Sequence, residues 1–100
     1  NNKGVDFGGA QGTPVKAAAD GKVLYAGDGV RGYGNLVLIS HSGGMLTAYA
    51  HNERLLVSKD QIVRAGQQIA TMGNSESNAV GLHFEVRMNG KAVNPMTYLY

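Results

Sequence analysis

The chain has no cysteine among its 100 residues, which excludes disulfides and thiolate metal sites. It has no apolar run near the ~20 residues that a bilayer-spanning helix requires. It also lacks any cluster of basic residues. Lys3, Lys16, Lys22, Lys59 and Lys91 are scattered, and the formal charge is only +2. A nucleic-acid footprint needs basic side chains gathered on one face, so nucleic acid is not an expected partner, while a mild attraction to an anionic surface stays open. A starting methionine and a signal peptide are missing too, since the chain opens on Asn1. We therefore expect a piece of a longer precursor whose address lies upstream.

What is present is glycine. Fifteen glycines are about twice the usual ~7%, and they are scattered between short runs of Val, Ile, Leu, Tyr and Thr. That composition fits one all-β domain over residues 1–100, made of short antiparallel strands and hairpins with little helix. Strands are expected over residues 5–7, 14–18 and 22–26, with Asp20-Gly21 predicting a hairpin between the last two. Residues 36–40 are continuously apolar until their end, as in a strand covered on both faces. Ser42-Gly43-Gly44 turns the chain into a strand over 45–50. Residues 53–57 show no clear period. Residues 62–70 read as two short strands around Ala65-Gly66, and the polar residues 74–80 as a loop. Asn89-Gly90 is a further hairpin turn, and Asn94-Pro95 starts a terminal turn or single helical turn ending near Tyr98.

The segment 82–88 alternates strictly. Leu82, Phe84, Val86 and Met88 share one face, and His83, Glu85 and Arg87 share the other. With the apolar face on the core, His83 and Glu85 are expected to look outward, into a groove or into solvent.

Several motifs in a fixed order resemble the LytM/lysostaphin-type zinc endopeptidases. They are Asn2-Lys3-Gly4-Val5-Asp6, Gly12-Thr13-Pro14-Val15, Ala19-Asp20-Gly21-Lys22-Val23 and Gly32-Tyr33-Gly34-Asn35-Leu36-Val37. Tyr49-Ala50-His51, Val63-Arg64-Ala65-Gly66-Gln67-Gln68-Ile69, Leu82-His83-Phe84-Glu85-Val86 and Asn94-Pro95 complete the set. The likeness covers essentially the whole chain. Active members of that family cleave peptide cross-links in peptidoglycan. Their zinc is held by a His-x-x-x-Asp pair and by the second His of a late His-x-His, and two further histidines assist. A catalytic zinc needs three protein ligands and one open position for water.

This sequence departs from that pattern. Asp6 stands at the carboxylate position and His83 at the second His of His-x-His, but Asn2 occupies the first ligand position, and a neutral amide is a poor zinc donor. Gly81 replaces the first His of His-x-His, and His51 matches the central histidine. The resemblance thus implies a degenerate domain with no zinc cofactor and no peptidase activity. Removal of one general acid–base group alone costs ~10²–10⁴ in rate. It further resembles the degenerate LytM factors that switch on peptidoglycan amidases during cell separation. That likeness implies an N-acetylmuramoyl-L-alanine amidase as partner, peptidoglycan as a second expected ligand, and a periplasmic parent anchored to the outer membrane.

The vestigial groove is expected to comprise Asn2, Asp6, Arg31, Tyr33, Asn35, His51, Gly81 and His83. Arg31 and Tyr33 are candidates for its rim, because Arg and aromatic residues dominate interface hot spots. Plainer readings stand beside these. Asp6 also reads as a turn carboxylate, His51 and His83 as ordinary surface histidines, and Gly32 and Gly34 as residues that only permit a backbone angle. His41, before Ser42-Gly43-Gly44, reads as a strand-end residue. Three functional alternatives stay open: a residual zinc endopeptidase using Asp6, His83 and a relocated His51, a wall-binding module without a protein partner, and a carrier domain. The carrier reading lacks the exposed, methionine-flanked lysine it requires, because Lys59 has no such setting.

Overall fold

The computed structural model describes residues 4–94, which form nine strands and one 3₁₀ turn. The strands are β1 Val5–Gly8, β2 Pro14–Lys16, β3 Gly21–Gly27, β4 Asn35–Ser40 and β5 Met45–Leu55, followed by β6 Ile62–Val63, β7 Gln68–Met72, β8 Gly81–Met88 and β9 Lys91–Val93. Every pairing is antiparallel, in one sheet with the order β1-β8-β5-β4-β3-β6. Strand β7 joins β2 to β5, and β9 extends β8. No helix among the described residues is long and apolar enough to cross a membrane.

Period-two alternation divides the side chains between two cores. Val37 and Ile39 of β4, Tyr49 of β5, and Phe84 and Val86 of β8 enter the main core with Val15, Val23, Val63 and Ile69. The opposite face of the same strands carries Leu36, Ala48 and Ala50, packed with Tyr25, Tyr33 and Leu38. Strand β4 is therefore covered on both faces, as its unbroken apolar run requires.

At the centre, Tyr49 is buried and its ring lies 5.3 Å from that of Phe84. Its hydroxyl accepts the Ala18 amide at 2.9 Å and pairs with the Thr47 hydroxyl at 2.9 Å. His41 does more than end a strand. Its Nε2 meets Thr47 Oγ1 at 2.7 Å and its Nδ1 meets the Asp20 carbonyl at 2.6 Å. A continuous polar chain thus ties the segment after β2 to the β4–β5 hairpin, and it leaves these buried polar groups satisfied.

The Asp20-Gly21 hairpin is overturned. Strand β2 pairs with β7, and β3 pairs with β4 and β6. A type I′ hairpin turn needs φ > 0 at both central residues, and neither Asp20 nor Gly21 has it. The Asp20 carboxylate instead accepts the Ala65 amide at 2.7 Å. At Asn89-Gly90 both φ angles are positive, 53° and 87°, and the expected β8–β9 hairpin forms. The expected terminal turn lies beyond Asn94, outside the described residues.

Candidate functional site

Strand β5 changes partners at His51. Up to Ala50, which faces His83, it pairs with β8, and from Asn52, which faces Met72, it pairs with β7. The handover is made by a left-handed residue, since His51 has φ 67°. That conformation is uncommon for a side chain other than glycine, although histidine is enriched in it. Where β8 and β7 part, a cleft of about 290 Å³ opens, lined by residues 6–8, 51, 77 and 79–83.

Asp6 of β1 faces His83 of β8 in the ladder, and His83 Nδ1 lies 2.6 Å from Asp6 Oδ1. The other ring nitrogen, Nε2, lies 2.8 Å from Glu85 Oε2. Glu85 is 1% exposed, which corrects the outward placement expected from alternation alone. The polar face of β8 does point away from the main core, but neighbours cover it. The Tyr33 hydroxyl donates to Glu85 Oε2 at 2.9 Å, and Arg87 donates to Oε1 through Nε at 3.1 Å and Nη2 at 2.8 Å. A buried carboxylate is tolerable only with such partners.

Protonation follows from this geometry. Burial works against the imidazolium of His83, but hydrogen bonds to Asp6 and Glu85 outweigh it and raise the pKa. Burial likewise favours neutral Glu85, yet donation from His83, Arg87 and Tyr33 holds its pKa below the ordinary value. Burial and the adjacent Glu85 both raise the pKa of Tyr33.

A second anchor fixes the cleft wall. Ser75 Oγ accepts the Asn35 amide at 3.0 Å and donates to the Asn52 carbonyl at 2.7 Å. The Ser75 carbonyl accepts His51 Nδ1–H at 2.8 Å. Gly34 makes this approach possible: at φ 61°, an added Cβ would lie 2.4 Å from the Ser75 carbonyl oxygen.

Asp6, His51, Gly81 and His83 therefore meet at one cleft. Tyr33 stands behind it, with its ring 6.1 Å from that of His83, and borders an adjoining apolar hollow with Val30, Leu36, Leu38 and Leu46. Arg31 is exposed on the preceding loop and does not line the cleft. The Asn35 side-chain amide, Nδ2, is spent on the carbonyls of Asn52 and Glu53, at 3.0 and 3.2 Å. Asn2 lies outside the described residues. Sequence reasoning missed Glu85 and Arg87 as parts of this network, although their same-face spacing from His83 was a usable signal. Ser75 carried none, because its partners lie 23 to 40 positions away.

Among the described residues no three His, Cys, Asp or Glu side chains gather to hold a metal ion. Asp6 and His83 supply two donors, and both nitrogens of His83 already face carboxylates. A catalytic zinc requires three protein ligands, and the described residues bring two of them together, the third position, Asn2, lying outside the described residues.

The sequence model for peptidase family M23 matches residues 1–95. The chain belongs to peptidase family M23. As an M23 domain it is 53% identical over 98 residues to the murein hydrolase activator NlpD of Escherichia coli strain K12, covering 98% of this chain and 26% of that protein. It is 55% identical over 98 residues to outer membrane antigenic lipoprotein B of Haemophilus influenzae, covering 98% and 24%. The M23 domain thus spans about a quarter of the length of the curated relatives it matches. Among solved structures, the catalytic domain of lysostaphin from Staphylococcus simulans superposes with a TM-score of 0.89 at 35% identity, covering 96% of this chain and 77% of that one.

Proposed function

We propose that this M23 domain activates a peptidoglycan N-acetylmuramoyl-L-alanine amidase in daughter-cell separation, docking it through the cleft between β1, β8 and His51 without hydrolysing peptidoglycan itself. The observation that carries this reading is the commitment of His83. Its two nitrogens are held by Asp6 and Glu85, and Gly81 beside it has no side chain with which to move a proton. No water is made nucleophilic there, yet the walls of a peptide-binding groove remain. The name of the NlpD relatives, murein hydrolase activators, supports the same direction, and the lipoprotein names support a periplasmic parent anchored to the outer membrane.

In this reading Asp6, His51 and His83 contact the partner, with Tyr33 supporting His83 from behind. Binding activates the amidase only if the domain prefers its open form over its closed one. A shift from 1:99 to 99:1 requires a preference of about 10⁴-fold. The test is dye release from labelled sacculi by the amidase, with and without the domain, in buffer containing either chelator or added zinc. Stimulation that ignores both, with no release by the domain alone, is the expected result. Release by the domain alone, dependent on zinc, would overturn the proposal in favour of a residual endopeptidase.

A further inference from the structure

Residues 74–80, between β7 and β8, supply Ser77, Ala79 and Val80 to the wall of the cleft. Within this loop the Ser77 amide reaches back to the Asn74 carbonyl at 2.9 Å, and the Ser77 hydroxyl bonds to the Ala79 carbonyl at 3.1 Å. Those bonds shape the loop but do not fix where it lies. Ser75 does that, although it does not itself line the cleft. Its Oγ accepts the Asn35 amide and donates to the Asn52 carbonyl, so one hydroxyl pins the loop to both β4 and β5. Glu76 adds a longer bond, 3.2 Å from Oε1 to the Gly32 amide, and holds φ 49°, an uncommon conformation for its residue type.

The same anchor decides the state of His51. The Ser75 carbonyl lies 2.8 Å from Nδ1. A carbonyl oxygen only accepts, so in the neutral ring the proton is on Nδ1 and Nε2 is an acceptor. The ring lines the cleft, its centroid 6.0 Å from that of His83. A shift of about 1 Å in the loop would take Nδ1 out of hydrogen-bonding range, and the ring would then carry its proton on either nitrogen.

We propose that Ser75 is a positioning residue for partner docking, its hydroxyl holding the loop where its carbonyl keeps His51 in the Nδ1–H form. The partner then meets a fixed acceptor at Nε2, and no ring has to be ordered on binding, which removes a cost from association. The inference rests on the reading of this cleft as the docking site and names a residue outside the cleft that sets it.

The test has two arms. Long-range ¹H–¹⁵N spectra of the labelled chain in mildly alkaline buffer report which nitrogen of His51 carries the proton. Parent and Ser75→Thr, which keeps the hydroxyl, are expected to show Nδ1–H. Ser75→Ala keeps the carbonyl but frees the loop, and is expected to show a mixture. Gly34→Ala is a second route to the same result, because its added Cβ would lie 2.4 Å from the Ser75 carbonyl oxygen and push the loop away. Nδ1–H retained in either variant that folds, or a mixture in the parent, would overturn the inference. The second arm is amidase stimulation against activator concentration. Ser75→Ala is expected to need about tenfold more protein for half-maximal stimulation, with the maximum retained and Ser75→Thr matching the parent. Equal requirements for parent and Ser75→Ala would overturn the inference and leave the activator reading intact. No stimulation by the parent sinks that reading, while the spectra still decide what Ser75 does to His51.

Discussion

At Gly81 an added Cβ would lie 2.8 Å from the backbone oxygen of Phe7, because β1 and β8 meet there with glycine opposite glycine, Gly8 against Gly81. The backbone of β1 thus occupies the space that a side chain at position 81 would enter. Gly81→His therefore has to push β1 aside, and forced overpacking of this kind costs about 1–3 kcal/mol. We expect a lower urea midpoint and no zinc-dependent cleavage of sacculi from that variant. An unchanged midpoint would show that β1 yields freely. The family resemblance marks Gly81 as a departure from a histidine, but the steric obstacle to a side chain there was not legible, since the obstructing atom belongs to a strand more than seventy positions away.

At the scale of the strand, β8 carries two environments on alternate residues. Phe84 and Val86 fill the core, while His83, Glu85 and Arg87 form a charged line sealed by Tyr33. Alternation in the sequence determined which residues share a face. It did not determine that the polar face is covered, because the cover comes from Tyr33, 52 positions from Glu85. The network gives stability a defined pH dependence. His83 has a raised pKa when folded, so its contribution is complete below the ordinary value of 6.5 and is lost as pH rises through the folded value. Glu85 has a lowered pKa, so its contribution is present above 4.5 and is lost as pH falls through its folded value. Thermal melting is expected to be highest between these limits and to fall on both sides. Glu85→Gln should flatten the acid limb and cost about 1–3 kcal/mol at neutral pH by leaving buried donors poorly matched. A variant that melts as the parent does at every pH would refute the role given to the network.

The fold depends mainly on the larger of the two cores formed on its single sheet. Ile69 is fully buried within it, and Ile69→Ala is expected to cost about 2–5 kcal/mol, a large share of the ~5–15 kcal/mol typical of a domain. Chemical denaturation checks this, and a loss below about 1 kcal/mol would mean that the site collapses without leaving a cavity. A chelator, by contrast, is expected to leave the melting temperature unchanged, because the described residues gather no three metal donors. A drop in melting temperature with chelator, reversed by zinc, would contradict the site as described.

Local pattern in the sequence determined most of the strands, the hairpins at Ser42-Gly43-Gly44 and Asn89-Gly90, and the division of β8 into two faces, but not that β5 runs past Ala50 to Leu55. These depend on side-chain period and on turn chemistry, which act over a few residues. Tertiary structure alone decided that Asp20-Gly21 turns a corner instead of closing a hairpin, that His41 anchors a buried polar chain, and that Glu85 is enclosed. It also set Ser75 to orient His51. Each of these is fixed by a contact between residues far apart in sequence, where the energy of the bond depends on a distance that no local pattern encodes.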